Sequence, residues 1–160
     1  MNLKKLKKLE ELTYICQKLK KEGKKIVFAN GCFDLLHYGH IDYLLGAKKL
    51  GDVLIVAVNS DKSVKQYKGD DRPIIPQEQR LEILDAIRFI DYIILFDEPD
   101  VNKLLLTLKP HIHAKGTDYT EETVPERKTV LSYGGKVAIA GNPRVNSSTN
   151  IIQKILDNYA

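Results

Sequence analysis

The feature that most constrains this chain is the run DVLIVAVNSD at residues 52–61. A strand with one wet face alternates apolar and polar residues, and this run does not alternate. An unbroken apolar core of that length is what a strand buried on both faces carries, and such strands sit inside parallel sheets. Parallel neighbours need crossover segments, so helices must separate the strands. The sequence supplies them. KIVFAN (25–30), YIILF (92–96), HIHAKG (111–116) and KVAIA (136–140) read as the other strands. Apolar residues at helical spacing predict helices over residues 39–50, 77–89, 100–108, 125–133 and 148–159. Leu3, Leu6, Leu9, Leu12, Ile15 and Leu19 predict an amphipathic helix over residues 3–22, ended by Gly23 and set ahead of a domain at 24–160. The polar stretch 68–73 reads as an exposed loop. Five rounds of strand and helix predict an α/β fold, a parallel five-stranded sheet with helices on both faces.

Composition narrows the setting. The 160 residues suffice for one domain, and 43% apolar with 29% charged residues describes a soluble globular chain. No apolar run approaches the roughly 18 residues of a membrane span. The first residues are Lys-rich with interspersed leucines and lack the pattern of a secretory signal, so a cytoplasmic protein is expected, with Cys16 and Cys32 as reduced thiols. The net charge is +4, and residues 1–25 hold nine lysines against Glu10, Glu11 and Glu22. That imbalance reads as a solvated helix face; a nucleic-acid-binding arm is the weaker reading.

In a parallel sheet of this kind, ligands bind beyond the carboxyl ends of the strands, where strand order reverses. Residues 30–40, 59–61, 68–73, 115–119 and 142–149 fall there, and the polar chemistry clusters in the same places. Gly31 leaves room for a ligand beside the backbone. His37 and His40 lie three apart where a helix begins, and a helix N-terminus attracts phosphate. Two such histidines could also be metal ligands, an exposed pair, or include a satisfied core residue. A three-ligand metal site is disfavoured, because the nearest acid, Asp34, lies on the wrong side. Ser147, Ser148 and Thr149, with Arg144 just before them, offer a second anion site at the last helix, or simply its N-cap. Lys68, Arg72, Arg80 and Lys115 add cations near the same sheet edge. Together these suggest a polyphosphate ligand, while P-loop and Gly-x-Gly-x-x-Gly patterns are absent.

The stretch NGCFDLLHYGH resembles the His-x-Gly-His signature of the cytidylyltransferase-like nucleotidyltransferases. FANGCFDLLHYGHIDYL, IVAVNSDKSVKQYKGDDRPI, QRLEIL, AKGTDY, GGKV and SSTNII, in that order, are similar to the adenylyltransferases of ADP-heptose synthesis, over roughly residues 24–156. The resemblance implies a Rossmann-like fold and a reaction in which ATP and D-glycero-D-manno-heptose 1-phosphate give ADP-heptose and pyrophosphate. It implies Mg2+, held mainly through the ATP phosphates and not by a protein metal site. His37, His40, Lys68 and Arg144 would then be catalytic. Asn30, Gly31, Cys32, Phe33, Asp34, Arg80, Lys115, Gly116, Asp118, Ser147, Ser148 and Thr149 would bind the nucleotide, with no specific role assigned to Asp34. It further implies a homo-oligomer and a separate sugar kinase upstream. A glycerol-phosphate cytidylyltransferase, or another small phosphate-ester nucleotidyltransferase, is the rival within the superfamily. A non-catalytic nucleotide- or nucleic-acid-binding module is the rival of another class.

Overall fold

A computed structural model describes residues 3–143 and 147–159. Five strands form one parallel sheet: β1 (Ile26–Gly31), β2 (Val53–Asn59), β3 (Tyr92–Phe96), β4 (Ile112–Lys115) and β5 (Lys136–Ile139), in the order β3-β2-β1-β4-β5. The order reverses between β1 and β4, which is where a doubly wound sheet opens its ligand crevice. Residues 53–58 of β2 are all buried, and their side chains divide by parity. Val53, Ile55 and Ala57 join one core with Ile26 and Phe28 of β1. Leu54, Val56 and Val58 join the other, with Val27 and Ala29.

Helices cover both faces, as the strand pattern requires. The helix α1 (Leu9–Lys21) contributes Leu12 and Cys16 to the first core, together with α5 (Asn102–Leu108) and Val130 of α6 (Arg127–Ser132). The second core takes Leu44 and Ala47 from α2 (Tyr38–Lys48), and Leu81 and Leu84 from α4 (Gln77–Asp85). The last helix, α7 (Ser148–Tyr159), buries none of its described residues. No described helix is long and apolar enough to cross a membrane.

Two elements differ from the sequence expectation. The N-terminal helix starts at Leu9, not at residue 3. The preceding segment runs along the free edge of β3: Lys7 N–H donates to the Ile93 carbonyl (2.9 Å), and Ile93 N–H donates to the Lys5 carbonyl (2.8 Å). Leu6 forms a parallel bridge with Ile93. Leucines at helical spacing continue through this segment, but sheet hydrogen bonds take its backbone. The second difference is a helix between β2 and the polar loop, α3 (Asp61–Lys68). Ser60 Oγ caps it by accepting from Ser63 N–H (3.2 Å). Only Ser63 and Val64 of α3 are buried, so it offers no apolar stripe to read.

Candidate active site

The sheet's carboxyl edge opens into a cleft of about 650 Å3, within the ordinary range of small-molecule sites. Asn30 and Gly31 at the end of β1, Cys32, Phe33 and Asp34 just after it, Asn59 at the end of β2, Lys115 at the end of β4 and Ala140 after β5 all line it. Lys68 at the end of α3, Gly116, Asp118 and Ser148 line it as well. The crevice therefore lies at the reversal point and gathers the segments that the sequence pattern brings to one edge.

His37 and His40 build the first turn of α2. His37 is its N-cap, and its Nδ1 accepts from Gly39 N–H at 3.1 Å. His40 Nδ1 accepts from His37 N–H at 3.3 Å. The ring centroids are 4.0 Å apart. An Nδ1 that accepts must keep its lone pair, so each neutral ring carries its proton on Nε2. The capping geometry thus fixes the tautomer of both rings as Nε2 donors, in a cleft wall that already presents a helix N-terminus.

Asp34 acquires a definite role. It is 2% exposed, and its carboxylate accepts from Ile74 N–H (2.8 Å), Ile75 N–H (2.9 Å) and Arg72 Nε (2.7 Å). Arg72 NH2 lies 2.6 Å from the same carboxylate. Burial alone would raise this carboxyl. The Ile75 and Ile74 amides and the Arg72 guanidinium outweigh burial and hold it below the usual carboxylate range. Asp34 therefore ties the loop after α3 to the loop that leads into α2. Arg72, read from sequence as a site cation, is the partner in that tie.

Arg80 is a correction of the same kind. It is 1% exposed and is not among the described residues that line the cleft. Its Nε donates to the Ile75 carbonyl (3.0 Å), NH1 donates to the Cys32 carbonyl, and NH2 donates to Asp61 Oδ1 (2.8 Å). With three of its five N–H groups spent on protein acceptors, it braces the site from behind. Gly31 is corrected in its reason. A Cβ there would meet the Phe33 ring at 3.1 Å, so the glycine makes room for a buried aromatic of its own chain. Cys32 keeps its thiol beside Asn59 Oδ1 (3.8 Å), and burial pushes that thiol up, away from a nucleophilic thiolate.

The far side of the cleft is less enclosed. Ser147 caps α7, its Oγ accepting from Asn150 N–H (3.1 Å), and Ser148 Oγ donates to the Leu35 carbonyl (3.3 Å). Thr149 is exposed in the first turn of α7 and, like Ser147, is not among the lining residues. Arg144 lies outside the described residues. Sequence reasoning missed Asp42, which lines the cleft and ties α2 to the turn after β5. It accepts from Asn142 N–H (2.6 Å) and Asn142 Nδ2 (2.9 Å). Gly46 and Gly141 permit that approach, since a Cβ on Gly46 would fall 2.6 Å from Gly141 N. Among the described residues, no three His, Cys, Asp or Glu side chains gather as a metal site.

The chain is 47% identical to the bifunctional protein HldE of Pelobacter propionicus over 98% of its length, and 50% identical to that of Geobacter metallireducens over 97%. The aligned region takes in most of residues 1–23, which the sequence motifs alone leave outside. The chain spans about a third of the length of these relatives, 32% in each case. A crystal structure of a lipopolysaccharide core biosynthesis protein from Thermoplasma volcanium superposes with a TM-score of 0.65 at 33% identity, over 76% of this chain and all of that one. Pantoate-beta-alanine ligase from Francisella tularensis, complexed with beta-gamma ATP and beta-alanine, shares the fold at 19% identity. Its TM-score is 0.62, over 95% of this chain and 77% of that one. Residues 28–154 match the cytidylyltransferase-like family, and the chain belongs to it.

Proposed function

We propose that this chain transfers AMP from ATP to D-glycero-D-manno-heptose 1-phosphate, releasing pyrophosphate. The observation that carries the reading is the pair His37 and His40, fixed as Nε2 donors at the N-terminus of α2 in the wall of the cleft. The heptose rests on the ordered motif blocks and on 45–50% identity to the HldE proteins.

The chemistry follows from the residue types. A sugar phosphate oxygen is already ionised, so no protein nucleophile is needed. It attacks the α-phosphorus in line, the bond from that phosphorus to the bridging oxygen of the β-phosphate breaks, and pyrophosphate leaves with the electron pair. Charge grows on the phosphate oxygens as this happens. Preorganised N–H donors and the Lys68 ammonium, which also lines the cleft, stabilise that charge. Mg2+ would arrive with ATP and neutralise its phosphates, taking most of its ligands from phosphate oxygens and water. The reading also takes the protein as a cytoplasmic homo-oligomer. A monomeric mass by light scattering would remove the oligomer from it.

The test is pyrophosphate release with ATP or CTP, offered heptose 1-phosphate or glycerol 3-phosphate. ATP with heptose 1-phosphate should give the highest kcat/KM. Faster turnover of CTP with glycerol 3-phosphate would transfer the assignment to a cytidylyltransferase. Nucleotide binding without turnover of any sugar phosphate would make the chain a binding module.

A further inference from the structure

Beyond the phosphate contacts, the floor of the cleft holds a buried cluster of His113, Lys115 and Glu126. We propose that Lys115 donates to an uncharged acceptor atom of the substrate, not to its phosphates, and that Glu126 is the positioning residue that commits it to that role. The proposal rests on the adenylyltransferase reading and deepens it.

Lys115 ends β4, and Glu126 immediately precedes α6. Both line the cleft, yet they are only 8% and 7% exposed. Lys115 Nζ lies 3.6 Å from Glu126 Oε2, 3.4 Å from Asn30 Oδ1, and 5.0 Å above the Tyr119 ring. His113 Nε2 is 3.9 Å from the same carboxylate oxygen. His113 is fully buried against Phe28, and burial, aided by the Lys115 charge, pushes it down to about 3. It is therefore neutral at physiological pH. That leaves Lys115 as the only cation paired with Glu126 among the described residues.

A carboxylate and an ammonium buried side by side nearly cancel each other's field at a distance. The Lys115 end of the cleft thus offers no net charge to attract a triphosphate. Lys68 contrasts with it: exposed, also lining the cleft, and in no ion pair with a described residue. What Lys115 keeps is direction. An ammonium has three N–H groups; Asn30 Oδ1 accepts from one at 3.4 Å, and a second is left to the Glu126 carboxylate, whose Oε2 at 3.6 Å pairs with the charge without a hydrogen bond. The third suits a neutral oxygen or nitrogen, either on the nucleoside or among the sugar hydroxyls. Lys115 and Lys68 are both cations near one sheet edge in the sequence; their surroundings separate them.

A single change at either residue leaves a buried charge uncompensated, which destabilises. The main test is therefore the double variant Lys115→Met/Glu126→Gln, which removes both charges at nearly constant volume. Calorimetric binding of inorganic tripolyphosphate and of ATP is measured beside KM for the sugar 1-phosphate, with a melting temperature for each protein. The double variant should bind tripolyphosphate within about twofold of the wild type. It should lose about tenfold, one hydrogen bond's worth, in ATP affinity if the acceptor is on the nucleoside. The loss falls on the sugar-phosphate KM if the acceptor is on the sugar. Glu126→Gln alone should show the same selective loss; a lowered melting temperature with unchanged affinities would make Glu126 structural and overturn its role. Tripolyphosphate affinity falling as far as ATP affinity would overturn the proposal, as would no change in either substrate. Lys68→Ala supplies the contrast and should weaken tripolyphosphate. A wild-type protein that binds no ATP would defeat the adenylyltransferase reading itself, and this proposal with it.

Discussion

The two helices that present their N-termini at the cleft, α2 and α7, have similar local chemistry and different foundations. Each starts with a side-chain cap that accepts from an amide of its own first turn. The α2 helix is anchored by packing and by side-chain hydrogen bonds. Leu44 and Ala47 are fully buried, Tyr43 Oη donates to the Ala114 carbonyl (2.8 Å), and Asp42 grips Asn142. The α7 helix buries nothing, and Ile155 and Leu156 remain 50% and 53% exposed. A 3.3 Å bond from Ser148 to the Leu35 carbonyl ties its start to the loop after β1. Burial decides local stability more than capping does. The start of α2 is therefore held by packing as well as by its cap, whereas α7 adds no buried side chain among its described residues.

The largest effect expected from this contrast is on stability. Leu44→Ala should cost about 2–5 kcal/mol, and Ile155→Ala less than about 0.5 kcal/mol, by urea denaturation. Similar costs for the two would erase the distinction. Next comes catalysis. His37→Ala should lower kcat by about 10²–10³, roughly 3–4 kcal/mol, while Ser148→Ala should lower it about tenfold or less. An equal loss would make α7 as exacting as α2.

A third change sharpens the comparison at the loop leading into α2. Asp34→Asn should cost about 1–3 kcal/mol, because it weakens acceptors for two amides and a guanidinium. The sign of its pH dependence is set by the depressed carboxyl. The folded carboxyl sits below its unfolded value of about 4, so its stabilisation is complete above that value. It is lost as pH falls through the folded value, and the variant should lack that loss. The smallest effect belongs to Ser147→Ala, about 1 kcal/mol from a lost cap. Hydrogen exchange should register it as faster opening of α7 with α2 unchanged.

What was legible in the sequence was whatever a local pattern encodes. The apolar run at β2 specifies a strand buried on both faces, and its division between two cores follows from alternation alone. The spacing of apolar residues fixes α7 at residues 148–159, and the His pair marks the start of α2. Long-range pairing was not legible. Asp34 meets Ile74 and Ile75 across 40 and 41 residues, and no spacing rule links them. Arg80 looks like any cation near a sheet edge until Cys32, Ile75 and Asp61 are found to occupy its donors. The start of α1 fails for the same reason. Leu3 and Leu6 continue the helical spacing, but the backbone of residues 5–7 answers to Ile93.

That last pairing has a consequence for how the protein behaves in concentrated solution. An uncovered sheet edge is a template on which a second chain can add a strand. The segment around Leu6 occupies that template at β3, and it carries Lys5, Lys7 and Lys8. The opposite edge, β5, is only four residues long and opens with Lys136. Both flanks of the sheet are thus closed to edge-to-edge growth, one by cover and one by brevity and charge. Removing the first eight residues would leave most of the core in place, yet it would turn β3 into an adhesive border.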